Sequence, residues 1–350
     1  MRSALLFCVV PLLLAAFLLT GATAGPSDDL GATMRARQWP LQAMEVREAW
    51  RTTRGAGITV AVLDTGVDDR HPDLSGAVVQ GPDLTGTTSG SGARPSCGPA
   101  SPASAPADTP RASPGKHGTA MAALIAGRGH GPARAYGVLG VAPEARILSV
   151  KVTLDGDDPL WTGGGEVCRD AVARGIRYAV DHGAQVISMS LGGGSGAYRG
   201  SAAEERAVRY ALSRQVVLVA SSGNDGAEAN RRNFPAAYPG VIAVGAVDRA
   251  LRPAGFSNRQ DYLTLAAPGT EIVSARGRGS YVTADGTSAA AALVSGVAAL
   301  VRSRYPDLPA RDVRRALRLG AAPPPPGGSP DAYGAGTANA RRALEAAGRL

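Results

Sequence analysis

Five short runs rich in β-branched residues, Ile58–Leu63, Arg146–Val152, Gln185–Ser190, Val216–Ala220 and Val241–Val247, are separated by stretches with helical spacing. That alternation is the strongest constraint on the fold. Runs this apolar suit strands buried on both faces, and the segments between them supply the cover. Glu166–His182 places Val172, Ile176, Ala179 and Val180 on one face and then meets Gly183, a natural helix end. Ala202–Arg214 repeats the pattern with Ala207, Val208, Ala211 and Leu212. This rhythm predicts an α/β fold of three layers, a mostly parallel twisted sheet with helices on both faces and right-handed crossovers. Ligands of such sheets bind beyond the carboxyl ends of the strands. Chemistry is therefore expected in the residues just after each strand.

Asp64 directly follows the first run, where a carboxylate is shielded from water and needs a partner to stay ionised. Of the four histidines, His71 precedes a proline in a turn, His130 lies among glycines and His182 ends a helix. His117 differs. It closes a Gly-, Ser- and Pro-rich stretch and opens Gly118–Gly127, whose small residues suit tight packing. Asn224 follows the Val216–Ala220 run, and Ser288 stands after Gly286-Thr287 at the head of Ala289–Leu300. That position puts the Ser288 hydroxyl and N–H at the positive end of a helix dipole. Taken singly, the Asp is a turn or cap, the Asn a turn residue and the Ser an N-cap. Together they supply a hydroxyl, a base to take its proton, a carboxylate to orient the base and an oxyanion donor, the full set for acyl transfer.

Val60–Gly66, His117-Gly118-Thr119, Val219–Asn224 and Gly286-Thr287-Ser288 resemble the four signature blocks of the subtilisin-like serine proteases, the subtilases. Ala142–Val152, Val186–Gly193, Phe234–Asp248 and Ala266–Ile272 resemble family core segments in the same order, so the likeness runs from about Trp50 to about Ala343. The resemblance implies a secreted serine endopeptidase with Ser288 as nucleophile, His117 as general base and then acid, Asp64 as its orienter and Asn224 as oxyanion donor. It also implies a polypeptide substrate bound as an extended strand. The segments flanking it would be Ser190-Leu191-Gly192 and Gly163-Gly164-Gly165. The first segment and last segment, Gln38–Met44 and Tyr333–Asn339, resemble the mycosins, actinobacterial proteases associated with type VII secretion, so secretion components become expected partners. Mycosins usually end in a membrane helix, which is not expected here.

Several features depart from the family. Where subtilases usually carry Met, Pro and often His, positions 289, 292 and 293 hold Ala, Ala and Leu. Thr85–Gly115 reads as a long, flexible, low-complexity insertion, and too few residues precede the domain for a foldable inhibitory propeptide. The His71-Pro72-Asp73-Leu74 segment matches one whose aspartate binds calcium in some members. One carboxylate does not make a site, so structural calcium stays open without being assigned, and no other cofactor or metal is expected.

Arg2, the uncharged stretch Ala4–Leu19 and Ala22-Thr23-Ala24 form a secretory signal pattern, too short for the roughly 20 residues that cross a bilayer. The expected organisation is a signal over 1–24, an N-terminal extension over 25–49 and a catalytic domain over 50–345, in a secreted or envelope-associated protein. Cys8 leaves with the signal. Cys97 and Cys168 remain, an even number that suits one disulfide in an oxidising compartment, two free thiols being the other reading. Such a bridge would tie the insertion down over the cleft. The net charge of +8 comes from scattered arginines rather than a stripe or arm, so no nucleic-acid partner is expected. No serine stands in Gly-x-Ser-x-Gly, against an α/β-hydrolase esterase. The Gly192–Ala197 string is a weak nucleotide-loop match. The remaining alternative is a catalytically inactive subtilase fold acting as a binding module.

Overall fold

All five β-branched runs form strands, and two less apolar segments join them. The structure is a computed structural model that describes residues 26–86, 115–158, 170–192 and 200–350. Its strands are β1 (Thr59–Asp64), β2 (Val78–Asp83), β3 (Arg128–His130), β4 (Tyr136–Leu139), β5 (Arg146–Lys151), β6 (Val186–Met189), β7 (Val217–Ser221), β8 (Ile242–Val247), β9 (Leu265–Pro268), β10 (Ile272–Arg276) and β11 (Ser280–Ala284). The helices are α1 (Pro26–Ala36), α2 (Trp39–Ala43), α3 (Val46–Ala49), α4 (Lys116–Ala126), α5 (Ala171–Asp181), α6 (Ala202–Ser213), α7 (Thr287–Arg304), α8 (Ala310–Gly320), α9 (Pro330–Tyr333) and α10 (Ala340–Ala347).

Seven strands make one parallel sheet in the order β2-β5-β1-β6-β7-β8-β9. Side chains alternate across it as the two-residue period requires. Val60 and Val62 join the apolar layer that contains α4 and α7. Ala61 and Leu63 join the opposite layer with α5 and α6. The three-layer α/β expectation therefore holds. β2 escaped the sequence reading because its residues are exposed or half-buried, as befits a sheet edge. The eighteen residues of α7 run through the core, with Ala289–Val301 wholly buried. Arg302 fastens its far end by donating to the carbonyls of Pro306 and Leu308 at 3.2 and 2.7 Å.

From β1 the chain leaves toward β2 on one side of the sheet, while β6 leads to β7 on the other. The crevice between their carboxyl ends is the topological switch point, the standard ligand position in such sheets.

The segment before residue 50 does not stand apart from the rest. Leu41, Met44 and Val46 are buried in the main core, and Ala340 N–H donates to Met44 O at 2.8 Å. Arg35 donates to the carbonyls of Tyr136 and Gly137, pinning the end of α1 to β4. At the margins of the expected insertion, Thr85 is wholly buried and bonded to Asp83, and Gly115 is buried at the start of α4. Residues 87–114 lie outside the described residues, as do the signal over 1–24, Gly163, Gly164, Gly165, Cys97 and Cys168. Among the described residues no helix is long and apolar enough to cross a membrane.

Candidate active site

β1 delivers Asp64 to the switch point with its side chain only 1% exposed. Asp64 Oδ1 accepts from its neighbour Thr65 N–H at 2.8 Å and from His117 Nδ1 at 2.7 Å, and Oδ2 is buried without a partner. A carboxylate only accepts, so the shared proton sits on Nδ1 and the other ring nitrogen is left with a lone pair. The Asp64 charge holds the His117 imidazole above its ordinary pKa of 6.5; burial opposes this, and the hydrogen bond and the Asp155 charge add to it.

His117 owes its place to the start of α4. Asp155, four residues past β5, accepts from Lys116 N–H at 2.8 Å and His117 N–H at 3.0 Å, satisfying two orphan donors of the first turn. Gly118 lets α4 sit directly on the end of β1, since a Cβ there would lie 2.3 Å from Gly66 O and 3.2 Å from Asp64 Cβ. Asp155 was not among the residues singled out from sequence. Its signal was only an acid at a strand end, and its partner lies 39 residues away.

Ser288 occupies the first turn of α7, where its N–H is one of the unpaired helix-start donors. Its carbonyl accepts from Ser190 Oγ at 2.9 Å, which ties the end of β6 to the serine. Asn224, just past β7, accepts at Oδ1 from Thr287 N–H (2.9 Å) and the Thr287 hydroxyl (2.8 Å). Both Thr287 donors hold the amide oxygen, so the Asn224 NH₂ faces away from them. The space beside Gly286 receives it: a Cβ on Gly286 would lie 3.6 Å from Asn224 Nδ2 and 3.8 Å from Ser288 N. Two nitrogens that can donate thus lie within 4 Å of one point beside Gly286. Thr287 as the clamp on Asn224 also went unread from sequence.

His117, Asn224 and Ser288 line one cavity of about 510 Å³. Among the described residues no hydrogen bond joins His117 to Ser288, a gap that ligand-free sites commonly close only when substrate binds. Beside them, Leu191 O accepts from Ser221 Oγ at 2.9 Å and Asn233 Nδ2 at 3.3 Å, which fixes the segment Ser190–Gly192 just past β6.

The calcium-like segment has a different occupation. Asp73 is fully buried, and its oxygens accept from His130 Nδ1 at 2.6 Å and Val138 N–H at 2.8 Å. The Tyr281 hydroxyl also bonds to it, and burial with the Asp73 charge pushes that hydroxyl's pKa up. Among the described residues no three His, Cys, Asp or Glu side chains gather as a metal site.

The profile of the family described as the subtilase family matches residues 55–336. Fervidolysin of Fervidobacterium pennivorans is 36% identical over 312 residues, which are 83% of this chain and 41% of fervidolysin, so the chain spans well under half of that relative. Thermitase of Thermoactinomyces vulgaris is 36% identical over 77% of this chain and 83% of its own length. Among solved structures, the MycP3 protease from the type VII (ESX-3) secretion system superposes with a TM-score of 0.67 at 32% identity, covering 87% of each chain. MycP1 from Mycobacterium smegmatis gives 0.66 at 29% identity, covering 87% of this chain and 84% of its own.

Proposed function

The chain belongs to the subtilase family and is a subtilisin-like serine peptidase, and from that premise we propose that it is an exported endopeptidase working through Asp64, His117 and Ser288. The Ser288 hydroxyl attacks the peptide carbonyl as His117 Nε2 takes its proton. Asn224 Nδ2 and Ser288 N–H donate to the oxyanion. Collapse expels the amine, which takes the proton back from His117 and leaves an acyl-enzyme that water then hydrolyses by the same path. Substrate lies extended along Ser190, Leu191 and Gly192, with Gly163, Gly164 and Gly165 as the proposed opposite flank. The observation that supports this reading is that a carboxylate-bound imidazole, Ser288 and Asn224 meet at one cavity.

The signal pattern over 1–24 supports export, and the likeness to the MycP3 protease from the type VII (ESX-3) secretion system supports a secretion component as partner. Co-purification from the envelope fraction tests the partner. Fluorophosphonate labelling of protein recovered from culture medium tests export and nucleophile together. Labelling is expected in the wild type and lost in Ser288→Ala; equal labelling of both sinks the assignment.

Asn224→Ala is expected to lower kcat by about 10²–10³ with KM nearly unchanged, because the donor acts on charge that develops only in the transition state. A fall confined to KM would place Asn224 in ground-state binding instead. The pH profile follows from the His117 pair. Its raised pKa means that the protonated pair stabilises the fold fully below 6.5 and that this contribution is lost as pH rises through the raised value. Catalysis needs the neutral imidazole, so the acid limb of kcat/KM is expected above 6.5. A limb at or below 6.5 contradicts the role of Asp64 as the raising charge.

A further inference from the structure

On the proposed reading, His117 must hand a proton to the departing amine, so the first residue of the leaving peptide comes to lie over α4. The structure has a recess there. His117, Ala120, Met121 and Leu124 fall at the spacing that shares one helix face, and all four line the cavity. The opposite wall is one face of the β10–β11 hairpin, where Ile272 pairs with Ala284 and Ser274 with Val282. Ala289, the residue after the serine, closes the end with a single methyl group.

Three alanines, at 120, 284 and 289, thus stand where larger side chains would fill the space. The hydroxyl of Ser274 is committed, since its Oγ donates to Ala120 O at 2.6 Å. Charged residues line it as well: Lys116, Asp155, Asp157, Arg276 and Asp285. Lys116 pairs with Asp157 at 2.5 Å, and Asp285 accepts from Glu271 N–H at 2.7 Å. A charged side chain entering the recess would meet charges of both signs, which favours neither an acidic nor a basic one. An aromatic or long aliphatic one would bury its surface.

We infer that this recess selects peptides with a large apolar residue immediately after the scissile bond. The inference rests on the proposed catalytic reading and adds to it a preference on the leaving-group side. The test is a peptide series identical on the acyl side, with Gly, Ala, Leu, Phe, Asp or Lys after the bond. Phe and Leu are expected to exceed Gly in kcat/KM by about 10- to 100-fold, the worth of burying such a side chain, with Asp and Lys below Phe and Leu.

Ala284→Trp, on the exposed hairpin edge, fills the recess and should cut the Phe-to-Gly ratio to about 3 or less. The ratio is independent of how much enzyme is folded. A second readout uses the acyl-enzyme made from an ester substrate. An amino-acid amide attacks its carbonyl and gives up a proton through His117 as the Ser288 oxygen leaves. Phenylalaninamide should capture the acyl group well ahead of glycinamide. Cleavage with a flat or reversed order, or a ratio unchanged in Ala284→Trp, overturns the recess and spares the peptidase. Absence of both cleavage and fluorophosphonate labelling removes the catalytic reading and the preference with it.

Discussion

Ser288→Ala lowers kcat for a peptide substrate by about 10⁶, the loss known for the nucleophile of the subtilisin triad. No neighbouring hydroxyl substitutes. Ser190 Oγ is committed to Ser288 O and Ser221 Oγ to Leu191 O, each at 2.9 Å. The backbone around the site keeps its supports, because Ser288 takes part in them through its carbonyl rather than its hydroxyl. Thermal stability is therefore expected to change little, and the loss is chemical. What survives is informative: Asn224 Nδ2 and the residue-288 N–H remain beside Gly286, so a rate about 10³–10⁴ above water is expected to remain. A decrease of less than about tenfold, with titratable enzyme confirmed, would move the nucleophile elsewhere.

Much of this site could be read before the fold was seen, for reasons that lie in particular residues. Asp64 alone reads as a turn or cap, and it stands out only in company with His117, Asn224 and Ser288. His117 stood out among four histidines because it joined a loop to a small-residue helix. The layers followed from alternation, with Val60 and Val62 on one face and Ala61 and Leu63 on the other. Contacts distant in sequence were not legible. Asp155 caps α4 from the end of β5, and nothing near either residue announces the other. Thr287 was read as part of a signature, while its hold on Asn224 depends on how α7 meets the turn after β7. The small residues of α4 read as tight packing. That is true of the face toward α7, but Ala120, Met121 and Leu124 also line the cavity, which only the placement of the β10–β11 hairpin decides.

Asp64→Asn is expected to cost about 10⁴ in kcat, as loss of the triad carboxylate does in serine proteases. The local geometry says why a nearly isosteric change is so damaging. Thr65 N–H and His117 Nδ1 both donate to Oδ1, while Oδ2 is buried and unpartnered. An asparagine can keep its oxygen at the Oδ1 position, which preserves the ring tautomer but sets a buried NH₂ where Oδ2 was, with nothing to receive it. Turning over would aim that NH₂ at Thr65 N–H and force the proton onto Nε2, where it blocks proton transfer from Ser288. Either way the charge facing the imidazolium of the transition state is gone. The same charge is the main cause of the raised His117 pKa, so the acid limb of the residual activity must move to lower pH. Both shifts belong to one substitution and come from separate measurements. A fall in kcat with an unmoved acid limb would show that Asp64 orients the ring without governing its protonation, and full activity would remove it from the mechanism.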